Sequence, residues 1–259
     1  MELLDRVAVV TGAGGAVGAA VARRFADEGA RLVLAEEDKG AFDRIRQELG
    51  HAAESVDGLS VDLTSPSQVG TLVDRAVARF GQIDILVNAA GMAEEPPWSE
   101  PGPAAWERHL RSLTACVLCC QAVAPAMRTR GRGRIVNIAA TAGRYRSAYF
   151  RPEGTTGTGV PSAATSGGVL AVTRELALEL GPGGVNVNAV VPGWILTDRS
   201  AREWEQMPER ARRDILAEIA LGRPGRVVEV AGAVLFLASD ASSYLSGAAI
   251  DVNGGWWMS

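Results

Sequence analysis

Residues 6–18 read RVAVVTGAGGAVG, and the two halves of that stretch follow different periods. Val7, Ala8, Val9 and Val10 form a short apolar run without charge, the pattern of a parallel strand buried on both faces. Thr11 opens a turn with glycine at positions 12, 14, 15 and 18. From Val17 the pattern is helical, with Val17, Val21, Ala22 and Phe25 on one face and Arg23, Arg24, Asp27 and Glu28 on the other. Glycines between a buried strand and a helix let backbone N–H groups close on a pyrophosphate, and the helix N-terminus adds positive potential. Alone, a glycine-rich loop is no more than a surface turn; between this strand and this helix it points to a nucleotide. Val17 stands where the last glycine of Gly-x-Gly-x-x-Gly belongs, and no Gly-Lys-Ser/Thr follows to make a P-loop.

The chain has 259 residues, 47% of them hydrophobic, enough for a sheet covered on both sides, and a single domain over 1–259 is expected. A net charge of −4 argues against a nucleic-acid binder. MELLDRVAVV runs directly into the first strand, so no signal peptide is expected, and no apolar run reads as long enough to span a bilayer. Cys116, Cys119 and Cys120 cluster on one expected helix with no distant partner, which argues for free thiols and a cytoplasmic location. Neither His51 nor His109 falls at a zinc-motif spacing, so no metal is expected and the cysteines read as core packing. Lys39 is the only lysine; all other basic side chains are arginine.

Outward from the glycine turn, strands are expected at 31–35, 59–63, 83–87, 134–138, 185–191 and 248–252. Helices are expected at 41–49, 104–127, 162–180 and 227–239, and from Ser65-Pro66 with Val69, Leu72, Val73, Ala76 and Val77 as the buried stripe. A proline-rich connection covers 94–103, an irregular stretch runs from 140 to 161, and 199–220 is polar and helical. This alternation predicts an α/β fold, a doubly wound parallel sheet with helices on both faces and ligands at the carboxyl ends of the strands. The second strand ends at Glu36-Glu37-Asp38. An acidic residue about 20 positions past the glycine turn suits the ribose hydroxyls of NAD(H) and repels the extra phosphate of NADP(H). Glu36 therefore favours NAD(H) over NADP(H), the alternative being an ordinary charged loop.

Thr11-Gly12 followed by Gly18 resembles the Thr-Gly-x-x-x-Gly-x-Gly turn of the short-chain dehydrogenase/reductase family, and the resemblance runs from about residue 4 to residue 255. It implies a Rossmann-type fold whose nicotinamide cofactor meets Gly12, Gly14, Gly15, Ala16, Val17 and Gly18. The family carries glycine where this chain has Ala16, and that methyl is expected to bear on the turn or the phosphate. Glu36 sits where NAD-preferring members carry aspartate. The resemblance further implies that Asp62 accepts from the adenine amino group, with the backbone at Leu63 beside the ring. Asn88-Ala89-Ala90-Gly91 is similar to the Asn-Asn/Ala-Ala-Gly motif, whose small residues admit the adenosine half and whose asparagine braces the central strands. In the family's Pro-Gly-x-x-x-Thr segment, matched by Pro192, Gly193, Ile195 and Thr197, backbone and threonine hydroxyl meet the nicotinamide carboxamide.

The catalytic half departs from the family. Members use a tyrosine to exchange the proton, a lysine four residues later to lower its pKa, a serine to orient the substrate oxygen and an asparagine to hold a relay water. Hydride transfer leaves an alkoxide that must gain a proton in step. By their flanks these positions fall on Ser112 for asparagine, Ala140 for serine, Ser162 for tyrosine and Ser166 for lysine. The two α-helical serines lie about 6 Å apart along the axis. Tyr149 has Glu153 four residues on, amid Pro152, Gly154, Gly157, Gly159 and Pro161, which no helix carries uninterrupted. Arginine stays protonated and binds differently from lysine, so it is no substitute.

Three readings follow. In the first, the protein binds cofactor but has lost the reaction, and the 141–161 loop has drifted. In the second, it is an oxidoreductase on an alcohol or ketone with a rebuilt site, in which Tyr145 or Tyr149 enters beside Arg144, Arg146 or Arg151. In the third, a non-redox enzyme uses the old pocket, and no residue speaks for it in particular. A small-molecule ligand is expected, with no membrane partner. The resemblance also implies a homodimer or homotetramer, with the helices at 104–127 and 162–180 pairing across a two-fold axis; Cys116, Val117 and Cys120 are small enough for close packing there. The Trp256-Trp257-Met258 tail is expected to dock on the body or on a neighbour.

Overall fold

Every residue of β1 (Val7–Thr11) is buried, so this strand must be covered on both faces. Ala8 and Val10 point into one core with Val21, Phe25 and Val234, while Val7 and Val9 point into another with Leu72, Cys119 and Ile135. A computed structural model describes residues 1–50, 54–91, 103–145 and 159–258. After β1 come α1 (Ala16–Asp27), β2 (Arg31–Glu36), α2 (Lys39–Glu48), β3 (Val56–Ser60), α3 (Pro66–Phe80) and β4 (Ile85–Asn88). The second half holds α4 (Pro103–Thr129), β5 (Gly133–Ile138), α5 (Val160–Leu180) and β6 (Val185–Pro192). An excursion of β7 (Ile195–Leu196), α6 (Asp198–Gln206), α7 (Glu209–Glu218) and β8 (Gly225–Arg226) precedes α8 (Val227–Ala238) and β9 (Ala249–Val252).

Seven strands form one parallel sheet in the order β3-β2-β1-β4-β5-β6-β9. α1, α2 and α8 cover one face, and α3, α4 and α5 the other. The chain leaves β1 toward β2 and later returns to β4 on the opposite side, so a crevice opens where Thr11 and Asn88 stand in register. The expected doubly wound α/β sheet is the observed one.

Several details differ from the sequence expectations. The third strand is Val56–Ser60, not 59–63, because β2 supplies five pairing residues, from Leu32 opposite Val56 to Glu36 opposite Ser60. Gly58 disguises it: a Cβ there would lie 2.3 Å from Leu34 O, so backbone proximity and not an apolar side chain holds the strand. Val61 and Leu63 are buried just beyond the strand's end. Val77, assigned to the buried stripe of α3, is 40% exposed, one step past the ridge made by Val69, Leu72 and Ala76. Segment 199–220 is two helices, broken at Met207-Pro208.

The stretch Trp106–Thr129 within α4 is long and apolar enough to cross a bilayer, with mean hydropathy 1.4, which corrects the expectation that no such run exists. Its charges lie toward the two ends, at Glu107, Arg108 and Arg111 and at Arg128, and the apolar middle is the inner helix of a two-sided sheet: Cys116, Cys120, Val123 and Met127 pack against Leu86 and Ile135. That same stripe turns Cys116 and Cys120 inward, so they are not the small residues of an outward helix face; Val117 is half-buried. All three thiols are free and buried, and burial pushes Cys119 up to about 12. At the C-terminus Trp256 packs on Ile215 and Ile219 and donates to Glu218 Oε2 at 3.0 Å, Trp257 stacks on Tyr145, and Met258 alone of the three stays exposed.

The turn from β1 into α1 depends on atoms that are missing from its side chains. A Cβ at Gly18 would lie 2.1 Å from Gly12 O, whereas one at Gly70 in α3 meets nothing within 4 Å. Gly18→Ala should cost at least about 1–3 kcal/mol by overpacking, and Gly70→Ala should stabilise by about 0.4–1 kcal/mol. Urea midpoints check both; equal midpoints for the two variants would contradict the close approach.

Candidate functional site

Gly12 has φ +61°, and a Cβ there would come within 2.6 Å of Ala90 N and Cα, so the turn passes directly over the end of β4. Thr11 ties the same ends together: its hydroxyl accepts from Ala90 N at 3.4 Å and donates to Val87 O at 3.4 Å. Gly15 is the N-cap of α1 and offers no side-chain acceptor, and no acidic residue stands in the first helical turn. Backbone N–H groups at this helix start are therefore open to an anion. Ala16 is exposed at that start and Val17 is half-buried, so the Ala16 methyl projects outward and does not crowd the turn's interior.

Glu36, at the end of β2, reaches back over this turn. Its Oε2 accepts from Gly14 N at 2.9 Å, while Oε1 accepts from Glu37 N at 2.8 Å and Asp38 N at 3.2 Å. Asp62 lies just past β3, where Thr64 donates both hydroxyl (2.7 Å) and amide (2.8 Å) to its Oδ1. Arg111, from α4, bridges Asp62 Oδ1 at 3.1 Å and Glu37 Oε1 at 3.0 Å. The Thr64 donors, helped by the Arg111 guanidinium, hold the Asp62 carboxyl below its usual range. Leu63 beside it is buried.

Behind the crevice, Asn88 Nδ2 donates to Asn137 Oδ1 at 2.9 Å, and Asn137 Nδ2 donates to Thr173 Oγ1 at 2.9 Å, linking β4, β5 and α5. Asn88 Oδ1 is buried without a hydrogen-bond partner among the described residues and borders the cavity in front of it. An orphaned acceptor, an uncapped helix start and a glycine turn too tight for any Cβ are together a fit for a dinucleotide.

The cavity, about 210 Å³, lies at the carboxyl ends of β1, β4 and β5. Ser112, Ala140, Ser162 and Ser166 all line it, together with Thr11, Asn88, Ala90 and Gly91. None of those four offers a phenol or an amine. Ser112 donates to His109 O at 2.9 Å, and Thr165 donates to the same carbonyl at 3.3 Å. Tyr145 is elsewhere: its ring stacks on Trp257, and its hydroxyl donates to Asp251 Oδ2, which Arg144 also holds at 3.0 Å. Tyr149, Arg146 and Arg151 lie outside the described residues, as does His51; among the described residues no cluster could hold a metal. Pro192 ends β6, and Gly193 packs against Asn253. Ile195 pairs with Gly225, and the Thr197 hydroxyl caps α6 by accepting from Ser200 N at 3.2 Å.

Sequence reasoning missed several cavity residues: the apolar Ile138, Ala139 and Val169, and Cys116, Thr165 and Arg199. Cys116 and Thr165 follow Ser112 and Ser162 at helical spacings of four and three, a signal that was legible. Arg199 was not, because only the fold of 197–206 brings its side chain over the pocket.

The sheet order, the crevice and the uncapped helix define a Rossmann-type fold of the kind that carries dinucleotides. A family model described as enoyl-(acyl carrier protein) reductase matches residues 12–257. The chain belongs to the short-chain dehydrogenase/reductase family. It is 39% identical to cis-4-hydroxycyclohexanecarboxylate dehydrogenase of Sinomonas cyclohexanicum, over 97% of this chain and 96% of that protein. It is 34% identical to 3-oxoacyl-(acyl-carrier-protein) reductase FabG of Thermotoga maritima, over 98% and 99%. Among solved structures, a gluconate 5-dehydrogenase from Burkholderia cenocepacia, in complex with NADP and tartrate, superposes with TM-score 0.87 at 29% identity, covering 98% of this chain and 96% of that one. The family binds nicotinamide cofactors, and these relatives are named as dehydrogenases and reductases.

Proposed function

We propose that this chain binds NAD(H) in the glycine turn and has lost the family's proton-handling set, so that it is a cofactor-binding member that is either non-catalytic or atypical. The observation that carries this is the composition of one cavity wall: the positions expected for Asn, Ser, Tyr and Lys hold Ser112, Ala140, Ser162 and Ser166. A serine without an adjacent base or cation is a poor proton donor at neutral pH. Bound there, NAD(H) would supply a hydride donor or acceptor. The turn of Gly12, Gly14, Gly15, Ala16, Val17 and Gly18 would lie against its diphosphate, with Asn88, Ala89, Ala90 and Gly91 beneath the crevice. Asp62 and Leu63 would flank the adenine, and Pro192, Gly193, Ile195 and Thr197 the carboxamide.

Glu36 supports NAD(H) over NADP(H), because its carboxylate already occupies the N–H of Gly14 and would repel a ribose phosphate. Glu37 and Asp38 follow, and no basic residue stands in the 11–18 turn. The placement of Tyr145 against Trp257 and Asp251 favours a lost relay over a site rebuilt around that phenol. Cis-4-hydroxycyclohexanecarboxylate and gluconate, in the names of two relatives, are both hydroxy acids, so a small polar ligand suits the same pocket.

Calorimetry should show NAD(H) binding at least tenfold tighter than NADP(H), with Glu36→Ala narrowing the gap. NADH mixed with a broad ketone panel should not be consumed above the buffer rate. Turnover near that of active relatives would overturn the proposal, and so would the absence of any cofactor binding. The free, buried thiols support a reducing compartment such as the cytoplasm. We infer a homodimer or homotetramer through α4 and α5, whose outer surface includes Ala124, Leu176 and the 74% exposed Leu178. Light scattering at micromolar concentration should read two or four chains, and a monomer would exclude this.

A further inference from the structure

We propose that the cavity beneath α6 binds a small organic acid, its carboxylate on the Arg199 guanidinium and its hydroxyl or carbonyl oxygen on the hydroxyls of Ser162 and Ser166. The inference rests on reading this cavity as the substrate pocket, but not on cofactor choice or on turnover.

Arg199 is the one charged side chain among the described residues that line the cavity. Its nearest counter-charge is Glu203, one turn along α6, with Nε and Oε1 3.6 Å apart and both side chains about half-exposed. Such a pair is long, screened and single-pronged, so it competes poorly with a carboxylate that meets the planar guanidinium with both oxygens. A single cation matches a single carboxylate.

The other lining residues suit the rest of such a molecule. Ser162 and Ser166 have no side-chain hydrogen-bond partner among the described residues, and as hydroxyls each can donate or accept. They serve a ligand alcohol and a ligand ketone equally. Ser112 and Thr165 have spent their protons on His109 O and retain acceptor lone pairs. Ile138, Ala139 and Val169 line the same cavity and give apolar surface for a short chain or a saturated ring. A volume of about 210 Å³ equals about seven waters and is below the usual drug-sized range. The ligand is thus small, with one anionic group, one oxygen function and an apolar remainder.

The test uses 4-hydroxycyclohexanecarboxylate and its uncharged amide as probes, titrated by calorimetry at low ionic strength into wild type, Arg199→Gln and Ser166→Val. The acid should bind wild type at least tenfold tighter than the amide. Arg199→Gln should weaken the acid about ten- to a hundredfold, the size of a charge-assisted hydrogen bond, and leave the amide unchanged. Ser166→Val should weaken both probes alike. Equal affinity for acid and amide, or no binding of either probe, would overturn the proposal. ADP-ribose titrations separate the other source of negative charge: if Arg199→Gln weakens ADP-ribose by the same factor as the acid, the guanidinium serves the cofactor's diphosphate and the proposal falls. Failure of wild type to bind ADP-ribose or NAD would instead count against the cofactor reading, whatever the acid does.

Discussion

The backbone of Gly12 passes so close to Ala90 that a single added carbon would collide at 2.6 Å, and much of the molecule is arranged around keeping that contact. The contact requires β1 and β4 to be neighbours, with Thr11 opposite Asn88, and so requires the reversal of strand order that opens the crevice. It also requires α1 to start at once, because Gly18 must slide past Gly12 O. Helix N-terminus, crevice and glycine turn therefore form one constraint. Glu36 then comes within reach of Gly14 N because β2 and β1 run parallel and in register, Ala35 beside Thr11.

The same frame is compatible with the proposed function, in which a binding cradle persists without the family's proton-handling set. Cradle contacts are backbone atoms, fixed by the fold. Those at Ser112, Ala140, Ser162 and Ser166 are side chains projecting into a cavity, and replacing them with smaller ones leaves the supporting network in place. Asn88, Asn137 and Thr173 still join β4, β5 and α5 behind the pocket. The start of α5 still presses on the turn at Thr141–Gly143, where a Cβ at Gly143 would lie 2.4 Å from Ser166 C. The result is a cavity lined by the hydroxyls of Ser112, Ser162, Thr165 and Ser166 together with the side chain of Arg199.

What the sequence made legible was set by period and by glycine. The run Val7–Thr11 announced a doubly covered strand because its alternate residues feed two different cores, and the distance from Gly12 led to Glu36, whose carboxylate accepts from Gly14 N. The third strand was misplaced because Val56–Ser60 owes its pairing to a glycine under Leu34 O, which carries no hydropathy signal. The core packing read for the three cysteines is what the structure shows, and the second use of Cys116 and Cys120, in a close contact between helices of two chains, fails because both are buried within this one. Arg199 is two residues from Thr197, yet nothing local tells which arginine of a polar segment bends back over a pocket; that depends on the cap that Thr197 and Ser200 make at the start of α6.

The most direct measurement restores what the pocket lacks. A variant carrying Ser112→Asn, Ala140→Ser, Ser162→Tyr and Ser166→Lys should consume NADH with a simple ketone, in a reaction absent from the parent protein at matched cofactor occupancy. If the parent protein already reduces that ketone as fast as the fourfold variant, the missing phenol and amine are not what limits it, and a lost proton relay is the wrong description of this site.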